Sequence, residues 1–175
     1  LEGDLGELNE EQKKLIEKYK DDYGLDFVSG VLNEMGVKIR VINPENIPNE
    51  GRYTIASNHP LGGLDGLALM YAAGKTRKNI VFPVNDLLLY LENLRPLFIP
   101  VNKHGKNIEN KAIFDETFAS DMMLLYFPAG LCSRKQNGKI IDLEWKNTFV
   151  KKSILYLRDI IPAHDNGRNS NIFYN

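Results

Sequence analysis

Apolar side chains recur at helical spacing at the start of the chain and in short strand-like runs after it. Leu15, Ile16, Tyr19 and Tyr23 repeat every three or four positions, as do Phe27, Val28, Val31, Leu32 and Met35 after Gly24. That period gathers apolar groups on one helix face, so two amphipathic helices are predicted, with Asp26 placed to cap the second. Such stripes suit packing on a core, and contact with a membrane surface is the alternative. From Val37 onward, apolar runs at 37–42, 53–56, 80–82, 97–101, 123–127 and 160–163 predict strands, and helical patterns lie between them at about 66–73, 86–93, 107–119 and 146–157. Strands alternating with helices imply an α/β fold, with a mostly parallel or mixed sheet flanked by helices and the two amphipathic helices preceding it. The stretch holding Pro44, Pro48 and Gly51 is a connecting loop.

Length changes this picture little. The 175 residues, 43% of them apolar, suffice for one core. Residues 1–36 are expected to form a helical segment packed on the domain formed by 37–175. The final Asn171-Ile172-Phe173-Tyr174 stretch is apolar without a visible partner, so that domain is expected to be incomplete at its C-terminus.

Charge is uneven. Residues 1–34 hold ten acids and four bases, and the remainder 18 bases and 13 acids. A modest positive excess suits phosphorylated substrates or anionic lipid heads and falls short of a nucleic-acid binder. A single cysteine, Cys132, excludes an internal disulfide framework, and no Cys/His cluster has zinc spacing. No metal or prosthetic group is therefore expected. Without an apolar run near 18 residues or a leader pattern, the expected place is the cytoplasm, with peripheral contact at the cytoplasmic membrane face as a further option.

The segment Thr54-Ile-Ala-Ser-Asn-His-Pro-Leu-Gly-Gly-Leu-Asp65 carries the clearest chemistry. A strand ends in Asn58-His59-Pro60, and a glycine-rich turn leads to an aspartate opening a helix. Pro60 biases His59 away from helical geometry, and Gly62 and Gly63 let the chain turn back so that Asp65 reaches the imidazole. A carboxylate on one ring nitrogen leaves the other to take a proton from an attacking hydroxyl or amine. Asp65 has a rival reading as a plain helix cap. A second strand runs into a small-residue turn at Leu125-Tyr-Phe-Pro-Ala-Gly-Leu-Cys-Ser-Arg134. There the amides around Ala129 and Gly130 are candidates to approach a reacting oxygen, and Arg134 to grip a phosphate or carboxylate. Cys132 next to a histidine base raises the rival of a thiol nucleophile, against its reading as a small buried hydrophobe.

Together the two segments resemble the glycerolipid acyltransferase superfamily over about residues 37–173, specifically the branch that carries hemolysin or ornithine-lipid acyltransferase labels. Asn58 to Asp65 is similar to that family's H-x-x-x-x-D catalytic motif, and Phe127 to Arg134 to its F-P-E-G-T-R-S-R acceptor motif. Ile161-Pro-Ala-His164 resembles its last hydrophobic strand, Gly167-Arg-Asn-Ser170 the short tail after it, and 83–106 occupies the place of the second, acceptor-binding block. The resemblance implies acyl transfer from an acyl carrier protein or coenzyme A thioester to the hydroxyl or amine of a lipid precursor, in membrane phospholipid or related lipid synthesis, without a cofactor. It implies His59 and Asp65 as catalytic residues and Asn58, Lys103, Ala129, Gly130, Ser133, Arg134 and Arg168 as substrate-binding ones, with Lys106 as a further cation. Three departures stand out. Five residues instead of four separate His59 from Asp65, Ala129 replaces a glutamate, and Leu131-Cys132 replaces Thr-Arg. They thin the phosphate clamp and leave the catalytic pair in place. Two alternatives are a non-catalytic peripheral lipid-binding protein of the same fold and a thiol or serine hydrolase using Cys132 or Ser133.

Overall fold

The computed structural model describes residues 10–84, 88, 91–101 and 108–167. Five strands form one wholly parallel sheet: β1 (Tyr53–Ser57), β2 (Ile80–Val84), β3 (Phe98–Pro100), β4 (Met123–Tyr126) and, last in the chain, Asp159–Ala163. A separate antiparallel hairpin pairs β5 (Arg134–Gln136) with β6 (Lys139–Ile141), which makes Asp159–Ala163 strand β7. The sheet order is β3-β2-β4-β1-β7. The helices are α1 (Glu10–Lys18), α2 (Gly24–Glu34), α3 (Gly63–Thr76), α4 (Ile108–Ala119) and α5 (Thr148–Leu155).

The period-2 alternation of the strands decides what covers each face. Ile55, Ile80, Phe82, Val84, Met123 and Leu125 join Phe27, Val28, Val31 and Leu32 of α2 and Met70 and Ala73 of α3 in one core. Val81 and Leu124 point the other way, onto Phe114 and Phe118 of α4. Thr54 also faces α5, where its hydroxyl lies 3.1 Å from that of Ser153. Leu15, Ile16 and Tyr19 of the N-terminal segment pack at the margin of the larger core. The amide of Asn93 holds the turn between α1 and α2 by donating to the carbonyls of Tyr19, Lys20 and Asp22. Prolines fall where a lost ladder donor costs least: Pro162 and Pro100 lie on the two edge strands, and Pro83 lies beyond the stretch of β2 that pairs with β4.

The structure corrects three expectations. Residues 37–42 form no strand: Val37 and Ile39 turn inward onto the core, but the place beside β1 is taken by β7, so no ladder forms. The helix expected at 86–93 falls largely outside the described residues, and the part described beyond it is a 3₁₀ helix, Glu92–Leu97. Asp26 does not cap α2, because that helix already begins at Gly24 with Tyr23 at its N-cap position. Asp26 lies instead in the first turn, where a carboxylate meets the positive end of the helix dipole.

Candidate active site

All five strands of the sheet end on one edge, and the two central ones deliver the chemistry. The register Ala56↔Tyr126 brings the chain leaving β1 alongside the chain leaving β4. His59, two residues past β1, therefore stacks on Phe127 just past β4, with ring centroids 4.0 Å apart and planes 18° from parallel. Phe82 closes the far side of Phe127, edge to face at 5.1 Å. The imidazole has a rigid aromatic floor.

The turn 60–63 brings His59 and Asp65 together. Gly62 adopts φ +78, a left-handed conformation that a side chain would strain, and this kink absorbs the extra residue of the motif. It brings Asp65, in the first turn of α3, back to His59, whose Nδ1 lies 2.9 Å from Asp65 Oδ1. Asp65 Oδ2 accepts the Leu61 N–H at 2.8 Å. The carboxylate is 1% exposed and each oxygen has a donor. Such an acceptor fixes a hydrogen on Nδ1 and turns Nε2 away from the carboxylate. Asp65 is therefore not the N-cap of α3, a place held by Gly62; its carboxylate holds the Leu61 N–H and the imidazole together instead.

The thiol of Cys132 lies 3.6 Å from His59 Nε2. Burial alone would push the imidazole's pKa down, but the hydrogen bonds to Asp65 and Cys132 and the negative charge of Asp65 raise it to about 9. At neutral pH the unliganded site therefore rests as an imidazolium. An acyl chain or lipid placed against the ring would deepen its burial and favour the neutral base.

The other expected site residues divide into three groups. Ser133 and Ala129 are buried, and the Ser133 N–H donates to the His59 carbonyl at 2.8 Å. The Gly130 N–H donates to the carbonyl of Phe127 at 3.0 Å, so the turn amides that remain for an oxyanion are its neighbours. Arg134 is exposed and donates to the carbonyls of Cys132 and Ser133 at 3.1 and 3.3 Å, which leaves further donors of its fork for a ligand. Asn58 faces the loop after β7: its Nδ2 donates to the Asp165 carbonyl at 2.8 Å and its Oδ1 accepts the Asp165 N–H at 2.6 Å. Lys103, Lys106 and Arg168 lie outside the described residues.

Two features went unread in the sequence. One is the exposed β5–β6 hairpin, although Asn137-Gly138 at its tip, with φ of 49° and 78°, is the strongest short-range hairpin signal a sequence offers. The other is Asp142, which lies just beyond the hairpin and accepts the His59 N–H. Beyond it, an open recess of about 610 Å³ lies beside the 129–131 turn, walled by Leu143, Trp145 and Lys146.

A parallel α/β domain that presents an imidazole backed by a buried carboxylate at the sheet's C-terminal edge is built for acid–base catalysis on a hydroxyl or amine. The chain belongs to an acyltransferase family of glycerolipid-acyltransferase type, whose model matches residues 8–175. It is 48% identical over 162 residues to a lyso-glycine lipid O-acyltransferase of Bacteroides thetaiotaomicron, covering 91% of this chain and 60% of that protein. It is 46% identical over 168 residues to a lyso-glycine lipid O-acyltransferase of Phocaeicola vulgatus, covering 95% of this chain and 60% of that protein. The chain thus spans about 60% of the length of these relatives. No solved structure matches it. Among the described residues no helix is long and apolar enough to cross a membrane.

Proposed function

We propose that this chain transfers a fatty acyl group from a thioester of acyl carrier protein or coenzyme A to the hydroxyl of a single-chain lipid built on an amino acid. The His59–Asp65 pair, with its buried and fully hydrogen-bonded carboxylate, carries the reading. His59 Nε2 takes the proton of the acceptor hydroxyl as that oxygen attacks the thioester carbonyl. Amides of the 129–132 turn hold the oxyanion, the carbon–sulfur bond breaks, and the imidazolium returns its proton to the departing thiolate. Asp65 keeps the ring oriented and stabilises its charged form. The names of the two relatives favour an oxygen over a nitrogen acceptor and a lyso-lipid over glycerol 3-phosphate. The thinned cation set of the 129–134 turn suits a carboxylate head group, with Lys146 lining the recess and Arg134 at the end of the turn to receive it. Work on lipids at the cytoplasmic face of a membrane fits this chemistry.

The deciding experiment incubates the chain with matched acyl-carrier-protein and coenzyme A thioesters and a panel of lyso-acceptors, following free thiol and diacylated product. Acceptor-dependent thiol release with a lyso-amino-acid lipid is expected. Thioester hydrolysis that ignores the acceptor would refute the transfer.

One contact favours a second route, the 3.6 Å approach of Cys132 to His59 Nε2. There the Cys132 thiolate attacks the thioester, the carrier thiol leaves with the imidazolium proton, and the acyl group rests on Cys132. His59 then deprotonates the acceptor hydroxyl, which displaces Cys132 as thiolate. Cys132→Ala separates the routes, since direct transfer survives it and the acyl-cysteine route does not.

A further inference from the structure

One carboxylate collects hydrogen bonds from the distant His59 turn and from two nearer residues, Ser133 and Trp145. Asp142 Oδ1 accepts the backbone N–H of His59 at 3.1 Å and the hydroxyl of Ser133 at 2.5 Å, and Oδ2 accepts Trp145 Nε1 at 2.7 Å. With the Ser133 N–H on the His59 carbonyl, both polar groups of the His59 main chain end on the 133–142 stretch. Proline follows His59 and the strand has already ended, so no ladder supplies that N–H with an acceptor. Asp142 does so.

All three partners are donors, which makes an ionised carboxylate the fitting side chain. Asparagine would turn an NH₂ toward one of them, and alanine would leave three donors without their partner. The hairpin also needs such a tie. Its two short strands pair only with each other and are exposed along most of their length, and an isolated two-stranded hairpin is marginal in water. Asp142 directly follows β6 and fastens the hairpin's returning end to the His59 turn. Across that fastening stand the two groups whose separation matters, His59 Nε2 and the Cys132–Ser133 turn.

We infer that Asp142 is a positioning residue for acyl transfer. Its carboxylate clamps the turn after β1 to the turn after β4 and so holds the imidazole at the mouth between them. The inference rests on the reading of His59 as the base, yet the clamp has two readouts that need no turnover, because Cys132 is the only cysteine and Trp145 the only tryptophan of the chain.

The test compares Asp142→Ala, Asp142→Asn, Ser133→Ala and Trp145→Phe in the whole chain, measuring kcat, KM, the alkylation rate of Cys132 and melting temperature. Misplacing a catalytic group by about 1 Å costs roughly 10²-fold, so Asp142→Ala is expected to lower kcat by about that factor while the acceptor KM changes by about 3-fold or less. Asp142→Asn, which keeps an oxygen for His59 and Ser133, should fall between alanine and wild type, and Trp145→Phe should lose least. The alkylation rate of Cys132 should change in Asp142→Ala as the turn that carries it is released from the His59 turn, and the Trp145 emission of that variant should change. Wild-type turnover per folded molecule together with unchanged alkylation, in Asp142→Ala or, if that variant does not fold, in Asp142→Asn and Ser133→Ala, overturns the inference. A loss confined to melting temperature overturns it equally. If the wild-type chain acylates none of the acceptors, it is the base reading that fails, and the alkylation and emission data still decide whether the clamp exists.

Discussion

At the C-terminal edge of the sheet, ionisable side chains face one another: His59 meets Asp65 and Cys132, and Asp142 gathers the turns around them. At the N-terminal edge, three arginines face the main chain instead. Arg158, 5% exposed, donates to the carbonyls of Phe118, Ser120, Tyr53 and Met122. Arg77 donates to the carbonyls of Gly51 and Asp121, and Arg52 to those of Ala119 and Tyr156. Phe118, Ala119 and Ser120 end α4, whose last carbonyls have no intrahelical partner and carry the negative end of the helix dipole. Burial, with help from the neighbouring charges of Arg52 and Arg77, pushes the Arg158 pKa down to about 10, so it remains charged at neutral pH. One edge thus uses charge to tune a proton, and the other to satisfy carbonyls. Disturbing the first should cost function as well as stability, and disturbing the second stability alone.

The sharpest break of that contrast is His59→Ala. Loss of a general base typically costs about 10²–10⁴-fold in rate, so kcat per folded molecule should collapse, and the stability that the charged ring gains beside Asp65 is lost with it at neutral pH. Asp65→Asn should follow it in activity, since the amide still accepts one hydrogen bond but no longer balances the imidazolium. A His59 variant with near-wild-type turnover would remove the catalytic edge from the comparison.

The next largest effect belongs to the other edge. Arg158→Met keeps volume but takes a donor from the carbonyls of Phe118, Tyr53, Met122 and Ser120, the last of which keeps Arg52, and breaking such a buried charged network costs about 3–5 kcal/mol. Chemical denaturation should show that loss while kcat per folded molecule stays at the wild-type value. A variant equally stable but slower would mean that the two edges are coupled through β1 and β4.

The two edges also differ in how far the sequence discloses them. The strand–turn–helix at 54–65 is legible because its logic is local: an apolar run, a proline, glycines and an aspartate six residues past the histidine. Strands β1, β2 and β4 are legible for the same reason, being fully buried runs bounded by turn residues. The run at 37–42 misleads because alternation reports which side chains point inward and says nothing of whether a neighbouring strand is there to pair. Asp142 and the arginines leave no local trace. Asp142 meets His59 across 83 residues, and Arg158 meets Tyr53 across 105, so their partners exist only once the sheet has assembled. The hairpin is the exception, since Asn137-Gly138 announces it.

A pH series sharpens the catalytic side by about 3 kcal/mol. The folded pKa of His59 lies at about 9, above the ordinary value of 6.5, so the charged ring stabilises the fold fully below about pH 6.5, and that contribution fades as pH rises through 9. A shift of this size corresponds to about 3 kcal/mol, and the difference in stability between wild type and His59→Gln across pH 6 to 10 isolates it. Activity runs the opposite way, because the base must be neutral: kcat/KM should climb through pH 9 and level off only above it. Cys132→Ala removes one of the contacts that raise the pKa, so under direct transfer its profile should move to lower pH with the plateau kept. A flat profile from pH 6 to 9 would mean that the ring does not act as the base.

The smallest effect concerns Arg134, which stands outside both charge patterns. Its guanidinium is exposed and only partly engaged, by the carbonyls of Cys132 and Ser133. A charge-assisted hydrogen bond contributes about 1.5–3 kcal/mol when shielded, and exposure brings the expectation to the low end, about tenfold. If Arg134 grips the acceptor's anionic head, Arg134→Ala should raise the acceptor KM by about tenfold with the thioester KM and kcat nearly unchanged, the mark of binding lost equally in ground and transition states. Lysine should rescue in part, because a point charge still attracts the anion but lacks the planar fork. Complete rescue would reduce the site to simple attraction, and the effect would then fade with added salt. A change confined to the thioester KM would move Arg134 to the donor's side and place the carrier, instead of the lipid head, against the hairpin.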